Sequence, residues 1–136
     1  MIFTTRKLIR FHHCDPAGIV FYPQFYYLLH EAHEDLLAHI GQPEHLMIAA
    51  GFGLPMVSMQ TDFVGMCRFG DEVDIDVSLT KLGRSSVGMR YLIRSNDLAR
   101  VKAHGTVVYI NNQLGKPQAL PAALRAALLP YVETSQ

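Results

Sequence analysis

The chain has 136 residues, with 12 Lys and Arg set against 12 Asp and Glu and a hydrophobic fraction of 49%. That length and apolar content suit one domain over residues 1–136 with a continuous core, and they exclude a disordered chain or a string of domains. A formal charge of zero lacks the electrostatic footprint of a nucleic-acid or acidic-membrane binder, and it leaves self-association unopposed. Cys14 and Cys67 are the only cysteines, too few and too unpatterned for a disulfide framework or a zinc site. Two free thiols suit a reducing compartment, so a cytoplasmic location is expected. Arg6, Lys7 and Arg10 interrupt the apolar N-terminal residues, unlike a signal peptide or a membrane span.

In chain order, Ile2 to about Phe11 suits a first strand. Phe25, Leu28, Leu29, Ala32, Leu36, Leu37 and Ile40 recur at three- and four-residue steps, which builds one apolar stripe along a helix that Gly41 stops. A short second helix is expected from Pro43 to about Ala50, followed by a loop at Gly51-Phe52-Gly53. Leu54 to about Asn111 reads as consecutive strands. The clearest places Val73, Ile75, Val77 and Leu79 on one face and Asp74, Asp76, Ser78 and Thr80 on the other. Ser86 to Arg94 alternates in the same way behind the Lys81–Ser85 hairpin, Ser95-Asn96-Asp97 turns the chain, and Val101 to Ile110 returns. Pro121 to Leu129 reads as a short amphipathic helix. A long helix ahead of an antiparallel meander must bury its stripe on one face of the sheet, which gives an α+β domain. The open edges of such a sheet invite pairing with a second copy.

The segment from His13 through Tyr26 carries the chemistry. Pro16 biases Asp15 toward an extended conformation, and Gly18 permits a sharp turn. Pro23 suits the first turn of the helix, where a missing N–H costs nothing. The amides of Tyr22, Gln24 and Phe25 are expected to point backwards out of the helix, where they and the macrodipole favour an oxygen that becomes negative. An acid therefore stands beside a candidate oxyanion hole.

Together these features resemble the hot-dog-fold acyl-CoA thioesterases of the 4-hydroxybenzoyl-CoA thioesterase type. The resemblance rests on Asp15-Pro16-Ala17-Gly18-Ile19-Val20-Phe21-Tyr22-Pro23, and on a second block running from Leu54-Pro55-Met56-Val57-Ser58 through Asp62-Phe63-Val64 to Gly70-Asp71-Glu72-Val73. It implies a long central helix wrapped by a sheet of about five strands, and hydrolysis of a small acyl-CoA, with benzoyl and hydroxybenzoyl among the candidate acyl groups. It gives Asp15 the role of nucleophile or of base for water, and the Tyr22 amide the role of carbonyl-oxygen donor. It implies active sites between the subunits of a homodimer or homotetramer, with Ser58, Thr61 and Phe63 of a partner lining the acyl pocket. His30 takes the position where the hydroxybenzoyl enzyme has an aspartate for the ring hydroxyl, so the acyl group stays open. Arg84 is the first choice for the phosphates of CoA, with Arg68 and Lys116 behind it. No metal or redox cofactor is implied, and no nucleic-acid partner.

Each residue also has a plainer reading. Asp15 suits an Asx turn. Cys14 beside His12 and His13 could pair a thiol with an imidazole base, but neighbours on a strand point apart, and a small core cysteine is the favoured reading. His30, His33, Glu34 and Asp35 lack the i, i+4 histidine pair of helical zinc sites and read as a solvated face or subunit contact. His39 and His45 read as surface or helix-end residues, and His104 as an interior or interface imidazole. Asp71, Glu72, Asp74 and Asp76 read as a solvated strand face, and Met56, Met59, Met66 and Met89 as core filling. The competing functions are a thioesterase acting on acyl carrier protein, a hot-dog hydratase or dehydratase, and a non-catalytic acyl-CoA-binding or oligomerisation module.

Overall fold

A computed structural model describes residues 1–134. The elements are β1 (Phe3–Leu8), a 3₁₀ turn (Phe11–His13), α1 (Tyr22–His39), α2 (Glu44–Ala49), β2 (Phe52–Gly53), β3 (Met56–Phe63), β4 (Glu72–Leu82), β5 (Ser86–Ser95), β6 (Leu98–Val108), β7 (Ile110–Asn111), β8 (Lys116–Pro117) and α3 (Ala122–Leu128). Five strands form one sheet in the order β1-β4-β5-β6-β3, and β2, β7 and β8 form a smaller one. Every named pairing is antiparallel. This is the expected α+β hot-dog arrangement, a long helix laid on the sheet that wraps it.

Alternation builds the core. Val73, Ile75, Val77 and Leu79 on β4 point inward beside Val87, Met89, Tyr91 and Ile93 on β5 and Val101, Ala103 and Val107 on β6, all buried. Leu28, Leu29, Ala32, Leu36 and Leu37 of α1 fill the space above them and are at most 2% exposed. Burying one such side chain contributes about 1.5–3 kcal/mol, so this helix–sheet contact dominates the stability. The outer face of the same strands is polar and cross-linked by charge. Arg94 grips Asp76 through Nε (2.8 Å) and Nη2 (3.2 Å) and reaches Asp74 (3.3 Å), while Arg6 bonds Asp74 (3.0 Å) and Glu72 (3.2 Å).

The first strand stops at Leu8, three residues short of the expected limit. Beyond it His13 closes a 3₁₀ turn by donating its N–H to the Arg10 carbonyl (3.0 Å) and accepting the Arg10 N–H on Nδ1 (2.8 Å). The two-residue turn Asn96-Asp97 between β5 and β6 holds both residues at positive φ, 52° and 61°, as a hairpin of the primed type requires. β3 lies at the edge of the sheet, and Gly105 lets it come close: a Cβ there would run into the Ser58 carbonyl oxygen. No helix of the described residues is long and apolar enough to cross a membrane.

Candidate active site

The Asp15 loop is a tight turn held on both sides. Gly18, at φ 78°, donates its N–H to the Asp15 carbonyl (3.0 Å), and the Asp15 N–H reaches the Ile19 carbonyl (3.0 Å). Phe21 N–H bonds the His13 carbonyl (3.0 Å), Val20 N–H the Cys67 carbonyl (2.9 Å) and Phe69 N–H the Gly18 carbonyl (3.0 Å), so the segment is stitched to both neighbours. Asp15 is half-buried. Its Oδ1 accepts the Ala17 N–H at 2.9 Å, which is the Asx turn, and Oδ2 has no partner among the described residues. The turn and a chemical role are therefore compatible, because they draw on different oxygens.

Phe21, extended at φ −70° and ψ 125°, caps α1, and Pro23 occupies its first turn. Of the three amides expected to be free, that of Gln24 is engaged by the Phe21 carbonyl (2.8 Å). The Tyr22 N–H makes no hydrogen bond among the described residues, which leaves it available to an oxyanion at the positive end of the helix.

From this end, an exposed row of α1 runs along the inward row of β3. Tyr22, Tyr26 and His30 repeat every four residues and cover about 12 Å of helix, while Phe63, Thr61 and Met59 repeat every two and cover about 13 Å of strand. The rows meet in antiparallel order. Phe63 lies edge-on to Tyr22 and Tyr26, with centroids 6.0 and 6.3 Å apart, and beside Phe25 at 5.8 Å; the Tyr26 hydroxyl reaches Thr61 Oγ1 at 3.2 Å. Beside Tyr22 lies a groove of about 330 Å³ lined by Val20, Phe25, Phe63 and Met66, and beyond Tyr26 opens a cleft of about 430 Å³. The cleft is walled by apolar groups such as Leu29, Leu54, Met59 and Tyr91, with His30, His33, Glu44 and Asn112 as its polar members.

These polar groups are poorly satisfied. His33 is 4% exposed, and neither ring nitrogen has a hydrogen-bond partner. Burial, then the neighbouring His30, push its pKa down to about 4, so it is neutral at pH 7. Burial raises the pKa of Glu44, against the pull of His30 and with the help of Glu34. His33 thus belongs to the core face of α1 and not to a solvated face. The spacing signals it, since His33 stands four residues after Leu29 and three before Leu36. Glu44 could not be anticipated at His30, because the turn at Gly41 decides how α2 meets α1.

The structure sets Tyr22, Thr61, Phe63 and His30 along one side of α1, with the Asp15 turn just ahead of its N-terminus, but it separates two other residues from them. Ser58 shares the outer face of the sheet with Thr80, Arg90 and His104. Its odd spacing from Thr61 and the register Ser58↔Thr106 place it opposite to Thr61. Arg84 caps the far end of β4, roughly 33 Å of strand away from the Asp15 turn. Arg68 bridges Ile19 beside that turn, and Lys116 lies in the small sheet. His104 is exposed in the chain and not interior.

The thiol reading of Cys14 finds no base. Cys14 directs its Sγ to the Arg10 carbonyl (3.6 Å), and burial, with Asp15 and Asp71 nearby, raises its pKa. The nearby His13 has its Nδ1 engaged in the 3₁₀ turn. Cys67 is pushed up to about 11, mainly by burial. Neither is an activated nucleophile.

The model of the thioesterase-like superfamily matches residues 9–128. A 1,4-dihydroxy-2-naphthoyl-CoA hydrolase of Synechococcus elongatus is 26% identical over 122 residues, 88% of this chain and 90% of that protein. A 4-hydroxybenzoyl-CoA thioesterase of a Pseudomonas species is 29% identical over 93 residues, 66% of each chain. The crystal structure of a 1,4-dihydroxy-2-naphthoyl-CoA thioesterase from Synechocystis superposes with a TM-score of 0.87 at 25% identity, covering 95% of this chain and 96% of the other.

Proposed function

Because the chain belongs to the thioesterase-like superfamily and is a thioester hydrolase, we propose that it hydrolyses small aromatic acyl-CoA thioesters to the free acid and CoA. The observation that carries this reading is an unengaged helix N-terminal amide at Tyr22 beside an aromatic-walled groove, with Asp15, one carboxylate oxygen unengaged, in the turn just ahead of that helix. The thioester carbonyl would lie with its oxygen on the Tyr22 N–H, where developing negative charge is stabilised; one such donor is worth about 3–4 kcal/mol in other enzymes. Asp15 would draw a proton from a water that adds to the carbonyl carbon, or add its own Oδ2 there, in which case the acyl–Asp15 anhydride left after CoA departs is hydrolysed by a second water to the free acid and the restored carboxylate. The C–S bond then breaks, and CoA leaves as a thiolate that takes up a proton.

The acyl group would follow the channel between α1 and β3, with Phe63, Thr61 and Tyr26 along its sides and His30 at its end. Ring edges and faces there suit an aromatic acid. Relatives named for naphthoyl and hydroxybenzoyl thioesters support the same class. β3 is an edge strand with Met56, Val57 and Phe63 exposed, and a second copy pairing there would close the channel and protect the edge. Arg84 can serve the CoA phosphates only from such a second copy, whereas Arg68 lies near the turn of the same chain.

A panel of benzoyl-, hydroxybenzoyl-, dihydroxynaphthoyl-, short-chain and long-chain acyl-CoA, followed by thiol release, tests the reading. The aryl thioesters are expected to show the highest kcat/KM. Saturable binding of all of them without time-dependent thiol release would contradict it.

A further inference from the structure

The geometry points to a divalent metal site, of the kind that takes Zn²⁺, formed by His30 and Glu34 of α1 and Glu44 of α2 at the mouth of the large cleft. His30 Nε2 stands 3.4 Å from Glu34 Oε1 and 3.4 Å from Glu44 Oε2, and the three ligand atoms lie within 4.8 Å of one another. In a tetrahedral zinc site with bonds of about 2.0–2.2 Å, ligand atoms stand about 3.3–3.6 Å apart. Both measured edges match that spacing. They are long for charge-assisted hydrogen bonds, which run about 2.7–2.9 Å.

A cation also resolves what the side chains leave open. One imidazole N–H serves two carboxylates poorly, and two carboxylates this close repel each other unless a positive charge stands between them. Glu44 Oε2 is buried with no hydrogen-bond partner. Independently, His33, 4% exposed and unpartnered at both nitrogens, stacks on the His30 ring with centroids 5.7 Å apart and lines the same cleft. Nitrogen and oxygen donors suit zinc or a similar transition ion, and three protein ligands leave a fourth position for water or for a group held in the cleft. Spacing along α1 alone could not show this, because the third ligand comes from α2. The ion would tie α2 to α1 and so fix one wall of the cleft. The inference does not rest on the thioester reading, and its test uses no turnover.

The test titrates the metal-stripped full chain with zinc chloride, by calorimetry and by thermal unfolding. Wild type is expected to bind one ion per chain and to gain about 5 °C or more in Tm when free zinc is a hundredfold above Kd. Glu44→Gln keeps all seven histidines, so binding to scattered surface imidazoles would survive in it. Loss of both the ion and the Tm gain in Glu44→Gln and in His30→Gln supports the site, provided both variants unfold cooperatively without zinc. Should either variant fail to fold, Glu34→Gln, on the solvent side of the cluster, carries the same comparison. An undiminished zinc effect in these variants, no zinc effect in wild type, or an equal gain with magnesium would overturn it.

Discussion

The two faces of the sheet treat polar groups in opposite ways. On the outer face of β1, β4 and β5, Arg6, Asp74, Asp76 and Arg94 are paired to one another, and Thr4 adds a hydroxyl to Asp76 at 2.6 Å. On the inner side, around α1, His33 is buried without a partner, Glu44 has one buried oxygen with no hydrogen bond, Asp15 in the turn ahead of the helix keeps one oxygen free, and the first amide of the helix is unengaged. Unsatisfied buried groups cost about 1–3 kcal/mol each, and they cluster where a ligand can satisfy them. The outer face serves stability, and the proposed channel keeps its polar groups unpaired at the expense of it.

Acid separates the two faces. His33 titrates near 4 in the fold and near 6.5 when unfolded. Between those values the unfolded chain binds a proton that the folded chain does not, so stability falls as pH falls, by roughly 3 kcal/mol across the window. His33→Leu, close in size and without polar atoms, is expected to abolish that loss and to be neutral or stabilising at pH 7; urea unfolding at pH 7 and pH 5 reads the difference. Unchanged acid sensitivity in this variant would place the titrating group elsewhere.

The outer network behaves differently. A hydrogen bond from Arg6 is the main cause that holds the Asp74 carboxyl below its ordinary value; burial opposes it, and the charges of Arg6 and Arg94 outweigh that of Asp76 to keep the net shift downward. The stability this contributes is present above pH about 4 and lost as pH falls through the depressed value. Arg94→Ala is expected to cost no more than about 1 kcal/mol at pH 7, since pairs open to solvent are screened, and to leave thiol release unchanged. A loss of turnover there would erase the division between the faces. Smallest of all should be Tyr22→Phe, which keeps the backbone donor; kcat is expected to change less than about threefold, whereas a large drop would transfer the role from the amide to the phenol.

Much of the fold was legible because it rests on periodicity. The stripe from Phe25 to Leu37 and the alternation from Val73 to Leu79 record burial directly. The site was legible only where its parts are close in sequence. Asp15, Gly18 and Pro23 specify their own turn and helix start, and the same residues carry the resemblance to the family. His33 departs from the solvated face expected for it, because a polar residue on an apolar stripe looks like an interruption. Ser58 and Thr61 share a sequence motif but not a face, because a separation of three residues on a strand sends them to opposite sides. The approach of Glu44 to His30 depends on the angle between two helices, and no local pattern encodes it.

The central claim is that Asp15 performs the chemistry while its turn merely positions it. Asp15→Asn isolates that claim, because an asparagine Oδ1 can still accept the Ala17 N–H and preserve the Asx turn. Thiol release from an aryl-CoA by this variant, measured alongside substrate binding and Tm, is the most direct test. Turnover is expected to fall about 10²–10⁴-fold with binding and Tm little changed. Hydrolysis at the wild-type rate would contradict the account and reduce Asp15 to a turn residue.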